Sequence, residues 1–517
     1  MAERENSRFK TVGLVIIITL IGKALGLGRG MFIGQTFGTG CEADALLTAS
    51  HFPRIFFDAV FASAVSASFI PVFNEVLQRK GREEAIRLSN GFFTVVGLVA
   101  IALTGLGVVF APALVEAMAN FAPETADLTA DLLRIIFPSL FFTAIAFSMV
   151  GVLNSFGEFN VPAAMSIASN GIIILYFLFF VGRFGVFGAA VAFLIGWAAQ
   201  ALMQMPSLKK RGYSYRPRIR HPDLKKIFIL MLPVMVGTWT QPINMLISIR
   251  FASAIPGGIS SLEYANGLFI IIAGIFVLSV TNVIFPEMSR LSAAGDRVQF
   301  LQMISSTIRT LSFLLIPMTV GLKLLATPLI QLIYERQEFC EVSTELTASA
   351  LFYLSLGMVG YGVQNVLIRA FFAERKGTIP LISGLVSISV NFVLCTLLVN
   401  RMGVSGLALA SAASLLATIF VLAPATHKML GGGLITRELF FSLGKMLFAA
   451  LLMGFAVFFL RNFLLDVLGS GTVARFVLIG VSALSGLGIY MALARVMGIQ
   501  EAKFVFSAIG RIRKGDG

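Results

Sequence analysis

The sequence predicts an all-α polytopic membrane protein of about fourteen transmembrane helices, arranged as two six-helix lobes plus two C-terminal helices. Three observations carry that expectation: an extreme apolar composition, a chain cut into fourteen apolar segments, and an internal repeat. Of 517 residues, 57% are hydrophobic and 13% charged, and Phe occurs 48 times. The charged share is far below the roughly 25% of a soluble domain, and the mean hydropathy is +0.89. A soluble chain so apolar has too few polar groups to cover its surface. Composition therefore excludes a soluble enzyme, a disordered chain and a disulfide scaffold.

The apolar segments run over 11–37, 45–76, 88–118, 126–155, 159–182, 186–207, 224–255, 261–291, 300–333, 344–373, 379–399, 404–430, 437–463 and 470–495. Each reaches the about 20 residues that a bilayer requires of a helix. Met1 to Lys10 is polar and the first apolar run is too long for a signal core, so it is expected to stay as helix 1.

Loop charge alternates. Basic loops are the N-terminus (Arg4, Arg8, Lys10), Arg79 to Arg82, Lys209 to Lys226, Arg290 to Arg297, Arg375-Lys376, His427-Lys428 and the tail with Arg511, Arg513 and Lys514. The intervening loops, 41–44, 124–131 and 335–345, are acidic or neutral. Positive charge stays cytoplasmic, which places both termini inside and accounts for the net charge of +14. The stretch 209–226 holds eight basic residues and one acid. It reads as a topological signal with attraction to anionic headgroups, not as a nucleic-acid site. Three scattered cysteines and three histidines suggest neither a disulfide nor a metal centre.

The halves repeat. Val161-Pro162 matches Ile379-Pro380, and Phe184-Gly185-Val186 matches Met402-Gly403-Val404. Phe69-Ile70-Pro71 with Gly81 matches Ile284-Phe285-Pro286 with Gly295. A near-constant offset argues for duplication. An even number of helices per repeat gives both halves the same orientation. The expected organisation is an N-lobe 1–208, a basic linker 209–223, a C-lobe 224–430, and helices 13 and 14 with the tail over 431–517. Six plus six helices is a transporter architecture, not an enzyme's, with binding expected near the midplane.

Ionisable groups inside spans are costly and mark candidates. At 1.5 Å per residue, Arg29 lies about 12 Å from the outer end of helix 1, and Lys23 about 9 Å deeper. Arg54 and Arg250 fall at comparable outer depths. Lys23, Arg29, Arg54 and Arg250 thus form a cationic set suited to phosphate oxygens. Asp44, His51, Asp58, Asn154 and Asn170 are the gating or secondary candidates, with Asp44 read as either a helix cap or a gate. Arg309, Lys323, Arg369 and Lys445 read as interface residues. A drug or cation antiporter would place acids in such a cavity, and a membrane enzyme would pair carboxylates with a metal or a histidine. Neither pattern is present.

Gly22-Lys23-Ala24-Leu25-Gly26-Leu27-Gly28-Arg29 resembles the helix 1 signature of the MurJ/MviN lipid II flippases. Ala43-Asp44-Ala45, Pro53, Phe69-Ile70-Pro71-Val72-Phe73, Gly151 to Asn154, Pro162, Asn170, Tyr264-Ala265 and Phe285-Pro286 extend the resemblance over nearly the whole chain. It implies the multidrug/oligosaccharidyl-lipid/polysaccharide exporter superfamily. It further implies export of lipid-linked peptidoglycan precursor to the outer leaflet of a bacterial cytoplasmic membrane. Basic residues of helices 1, 2 and 8 would hold the diphosphate, and a groove at helices 13 and 14 the polyprenyl tail. Implied partners are lipid II, membrane lipids and cell wall synthesis proteins. No cofactor is implied beyond the membrane potential or a coupling ion. The alternative is a flippase for another polyprenyl-diphosphate-linked oligosaccharide, or an antiporter of that superfamily. Three positions depart from the family pattern. Lys23 stands where Arg is frequent, Arg54 lies one turn before the family's helix 2 arginine, and Asn266-Gly267 replaces Asp-Arg, leaving Arg250 as the substitute.

Overall fold

A chain surrounded by hydrocarbon must satisfy its backbone hydrogen bonds within itself, and helices do so segment by segment. The computed structural model describes residues 2–469 and 471–502, with the side chains of 2–12, 54–60, 233, 236–238 and 241 outside the description. The basic tail and the side chains of Arg54, Asp58 and Gln241 therefore lie outside the described residues. Among the described residues there are helices and no strands.

Fourteen rods follow in order. The first repeat holds α1 (Ala2–Phe37), α2 (Cys41–Ala64 continued by Ile70–Lys80), α3 (Arg82–Val109 with Ala111–Met118), α4 (Pro123–Ile136 with Ser139–Ser155), α5 (Asn160–Ala163 with Met165–Phe179) and α6 (Val181–Leu202 with Met205–Lys210). The second holds α7 (Leu224–Thr238 with Thr240–Ala252), α8 (Gly258–Phe269 continued by Ile275–Ala294), α9 (Arg297–Ile333), α10 (Glu341–Ser355 with Met358–Ala373), and α11 and α12, the two arms of Thr378–Met429. The chain ends with α13 (Arg437–Leu468) and α14 (Thr472–Val496). Nine unbroken helices among the described residues are long and apolar enough to cross a membrane, counting the α11–α12 rod once. The bent pairs α4 and α10 raise that to eleven. The protein is a multi-pass membrane protein.

Several rods are interrupted in ways lipid tolerates when neighbours cover the break. A single π turn joins the arms of α2 (Val65–Phe69) and of α8 (Ile270–Gly274). Such bulges re-aim the residues that follow without losing backbone pairing. Two helix starts use side-chain caps. The Asp296 carboxylate accepts from Gln299 N at 3.0 Å to begin α9, and Thr436 Oγ1 accepts from Leu439 N at 3.2 Å to begin α13.

The chain divides into two compact units, Met1–Ser260 and Ser261–Gly517. In the first unit α1 lies on α5, α5 on α6, and α2 on α4 and α7. Its aromatic core stacks Phe69 on Phe92 at 4.6 Å, with Phe73 and Phe228 alongside. In the second unit α9 packs on α10, α13 and α14. There Met446, Ala449, Ala450, Met453 and Val457 of α13 bury against Phe313 and Tyr490. The opposite side of α13 exposes Phe441, Phe448, Phe455, Phe459 and Phe463. A row of that kind is tolerable only against lipid.

Backbone geometry supports duplication independently of residue identity. Positive φ occurs at Gly38 and Gly257, Gly81 and Gly295, Gly157 and Arg375, Gly185 and Gly403, and Gly212 and Gly431. Each pair is 214 to 219 residues apart. The bends inside α4 and α10, 41° and 46°, fall at the same offset. Gly185 (φ 52, ψ −146) and Gly403 (φ 55, ψ −132) adopt nearly the same conformation. At Gly403 that geometry separates α11 from α12.

Only glycine enters that region without strain. A methyl group at Gly403 would meet no atom within 4 Å, so its cost is purely conformational. Gly403→Ala is expected to destabilise the purified protein by about 1–3 kcal/mol. Gly171→Ala, in open space on helical α5, should be neutral or gain up to about 1 kcal/mol. Thermal unfolding in detergent checks both. Equal midpoints for the two variants would show that the break does not depend on glycine.

Candidate functional site

The cationic face of α1 is built by glycines. Gly22, Gly26 and Arg29 are spaced i, i+4, i+7 and share one side of the helix. A Cβ on Gly22 would come within 2.5 Å of Ser166 Oγ on α5, and one on Gly26 within 3.5 Å of Asn170 Nδ2. Without those side chains α5 approaches closely enough for Asn170 to bridge. Its Nδ2 donates to the Gly22 carbonyl at 3.2 Å, and its Oδ1 accepts from Arg29 Nη1 at 3.0 Å. The Arg29 guanidinium also lies 5.5 Å from the centre of the Phe193 ring on α6. An amide and a ring on two neighbouring helices therefore orient a half-buried cation. Asn170, read in the sequence as an interhelical or secondary residue, is brought directly to Arg29. Phe193 carries no signal distinguishing it from 47 other phenylalanines.

Lys23 follows Gly22 and so turns about 100° away from the α5 contact. It is half-buried and makes no hydrogen bond or ion pair with a described residue. Within its apolar stretch, α1 thus carries one oriented cation and one with no partner among the described residues. His51 is buried in α2, 1% exposed. Asn154 ends α4, where its backbone carbonyl accepts from Gly157 N at 3.0 Å. The backbone of Arg54 and Asp58 continues α2.

Asp44 enters the first turn of α2 and is 3% exposed. Its Oδ2 accepts from Gly257 N at 2.9 Å and its Oδ1 from Ser260 N at 2.8 Å. These amides belong to the start of α8, where four N–H groups lack intrahelical acceptors and the helix dipole favours an anion. Asp44 therefore caps another helix, more than 200 residues along the chain. Gly257 has φ 74 and leaves 2.6 Å between a would-be Cβ and the Thr39 carbonyl, so the two turns meet backbone to backbone.

Arg250 serves the complementary end. Its Nη1 donates to the carbonyls of Glu116 at 2.8 Å and Ala119 at 3.0 Å, closing the C-terminus of α3. Ser253 Oγ accepts from Asn120 N beside it at 2.6 Å. A cation on helix C-terminal carbonyls is favourable. The structure thus joins Arg29 to Asn170, and gives Arg250 and Asp44 to helix termini. In the second unit four cations within α9, α10 and α13 have local partners, whereas the buried Nε of Arg461 in α13 has none among the described residues. Arg309 meets Glu501 at 3.5 Å, Arg369 donates to Asn282 at 2.9 Å, Lys445 donates to the Met497 carbonyl at 3.0 Å, and Lys323 lies 4.3 Å from the centre of the Phe352 ring.

Two six-helix repeats, two added helices and a lipid-facing surface, with cations set inside the helices, define a polytopic membrane transporter. Comparisons with known proteins agree. A family model described as lipid II flippase MurJ matches residues 33–479. A Treponema pallidum (strain Nichols) protein called probable lipid II flippase MurJ is 28% identical over 433 residues, 81% of each chain. A solved lipid II flippase MurJ in an inward closed conformation shares the fold at a TM-score of 0.79 and 24% identity, covering 94% of this chain and 98% of that one. An inward-facing multidrug resistance MATE family transporter of the MOP superfamily follows at 0.66 and 15% identity, covering 81% and 98%. The chain belongs to the lipid II flippase MurJ family.

Two substitutions examine the polar supports. Asp44→Ala leaves two buried amides unpaired and should cost about 1–3 kcal/mol, with Asp44→Asn costing less because one acceptor remains. An Asp44→Ala midpoint equal to wild type in thermal unfolding would mean the cap is idle. Asn170→Leu removes the bond that holds Arg29 to α5 and the one to the Gly22 carbonyl. It should weaken function while Asn170→Gln, which keeps an amide, recovers part of it. Loss of stability alone, with function intact per folded molecule, would remove Asn170 from the site.

Proposed function

We propose that this protein moves lipid II, the polyprenyl-diphosphate-linked peptidoglycan precursor, from the inner to the outer leaflet of a bacterial cytoplasmic membrane. Family membership supports the substrate class. The observation that carries the site is the pair of cations on α1, Arg29 held in place by Asn170 and Lys23 with no partner among the described residues. A diphosphate is a dense anion, and fixed cations in a low-dielectric setting attract it far more strongly than in water. Orientation by Asn170 lowers the cost of ordering Arg29 when the ligand arrives. Arg54 and Arg250 complete the cationic set. Arg250 reaches a ligand only by giving up the carbonyls of Glu116 and Ala119, so its engagement is tied to movement of α3.

Transport follows alternating access. The headgroup enters from the cytoplasmic side while the prenyl tail stays in lipid along α13 and α14, whose exposed phenylalanines offer an apolar surface. Asp44 acts as the outer gate by holding Gly257 and Ser260, and outward opening requires those two bonds to break. His51, Asp58 and Asn154 are secondary to these residues. The basic loops keep both termini cytoplasmic. The membrane potential supplies about 2.3 kcal/mol per charge per 100 mV, enough to bias a charged intermediate.

The test is complementation. A bacterium depleted of its native lipid II flippase is given this protein, Arg29→Ala or Lys23→Ala, each with an expression check. Growth and outer-leaflet lipid II are measured. Wild type is expected to rescue both, Arg29→Ala neither, and Lys23→Ala only in part, with Lys23→Arg active. A well-inserted wild type that exports no lipid II would overturn the assignment and favour another polyprenyl-diphosphate-linked oligosaccharide.

A further inference from the structure

The basic segment between α6 and α7 is held in a way that topology alone does not require. A mobile basic loop orients a membrane protein as well as an ordered one. Here the inner edge of the segment is tied to α2 and α3 along its length. Tyr213 Oη donates to Asn90 Oδ1 at 2.7 Å, and Asn90 Nδ2 donates to the Ser214 carbonyl at 3.1 Å. Tyr215 Oη and Thr94 Oγ1 are 3.0 Å apart, and Arg218 N donates to Thr94 Oγ1 at 3.1 Å. His221 meets Glu84 at 3.2 Å, and Lys80 binds Asp223 at 2.8 Å. The Lys80 hydrogen bond holds the Asp223 carboxyl below the usual range, so the segment's one acid is ionised and already neutralised.

Two of the eight basic residues pair within the protein, Arg211 with Glu158 and Lys226 with Glu75. The other six are Lys209, Lys210, Arg216, Arg218, Arg220 and Lys225. Their side chains are exposed and form no ion pair or hydrogen bond with a described residue. Arg216, Arg218 and Arg220 alternate in sequence with Tyr215, Pro217, Ile219 and His221 in irregular chain, and all three arginine side chains are exposed. Several exposed cations on a tethered segment suit several phosphates. Ile219 is 64% and Tyr215 52% exposed beside them. The row spans the ends of α6 and α7, where membrane-crossing helices leave the bilayer. Basic side chains interleaved with apolar and aromatic ones are the composition of an interfacial segment.

We infer that residues 209–225 form a prefolded strap that docks on the acidic phospholipid headgroups of the bilayer around the protein. The partner is a set of lipid phosphates, not a single soluble anion, and the proposal does not depend on which substrate is transported.

The experiment places a photo-crosslinking amino acid at Ser214, an exposed residue two positions before Arg216. The full-length protein is assembled in nanodiscs of equal phosphatidylglycerol and phosphatidylcholine, and captured lipids are identified by mass spectrometry. Wild type is expected to capture phosphatidylglycerol in severalfold excess, and raised salt should reduce that excess by screening. Arg216→Gln, Arg218→Gln and Arg220→Gln together should bring the ratio near one. Arg218→Gln alone should give an intermediate ratio if the triple variant is poorly folded. An even ratio in wild type, or an excess that survives the triple variant, would overturn the inference. So would crosslinking in native membranes that yields a protein adduct in place of lipid, which would assign the strap to an acidic protein partner.

Discussion

The constraint on which this structure depends is the satisfaction of backbone polar groups away from water. It makes the chain helical throughout the apolar zone and makes each helix end a problem to be solved locally. Two of the charged residues most conspicuous in the sequence turn out to solve it. Asp44 supplies an anion to the unpaired amides that begin α8, and Arg250 supplies a cation to the carbonyls that end α3. A charge used in this way is already partnered, which changes what it can do for a ligand. It becomes available only if the helix end it serves is rearranged, and that is a natural way to couple binding to movement in a transporter.

Arg29 illustrates a different solution. A neutral amide on α5 and a ring on α6 orient it. The glycines of α1 are the cause, since they let α5 come close enough for Asn170 to reach both Arg29 and the Gly22 carbonyl. A positioned arginine with a lysine six residues earlier on the same helix is the arrangement on which the diphosphate proposal rests. Arg309, Lys323, Arg369 and Lys445 meet an acid, a ring, an amide and a carbonyl instead.

Much of the fold was legible in the amino-acid pattern. The fourteen apolar segments correspond one to one with the fourteen rods, because lipid forces apolar length and helical length to coincide. The repeat was legible from motifs around Gly185 and Gly403, which mark a backbone geometry that only glycine adopts freely. The two π turns were not legible, since Val65 to Phe69 and Ile270 to Gly274 have nothing in composition that separates them from ordinary helix. The partner of Asp44 was equally hidden, because an acid in a first turn predicts a local cap and the observed amides are distant in sequence.

The sequence by itself determined that this is a duplicated, multi-pass helical membrane protein with cations inside its spans. That follows from hydropathy, charge counts and spacing, which are properties of single segments. Tertiary structure alone decided which helix each of these charges meets and which of them are committed to helix ends. Partnership is a matter of distances between segments far apart in the chain, and the linear pattern carries no record of them. For Arg29, Asp44, Arg250 and the basic strap, the residue type was visible from the start. Its role was set by the helix that packed beside it.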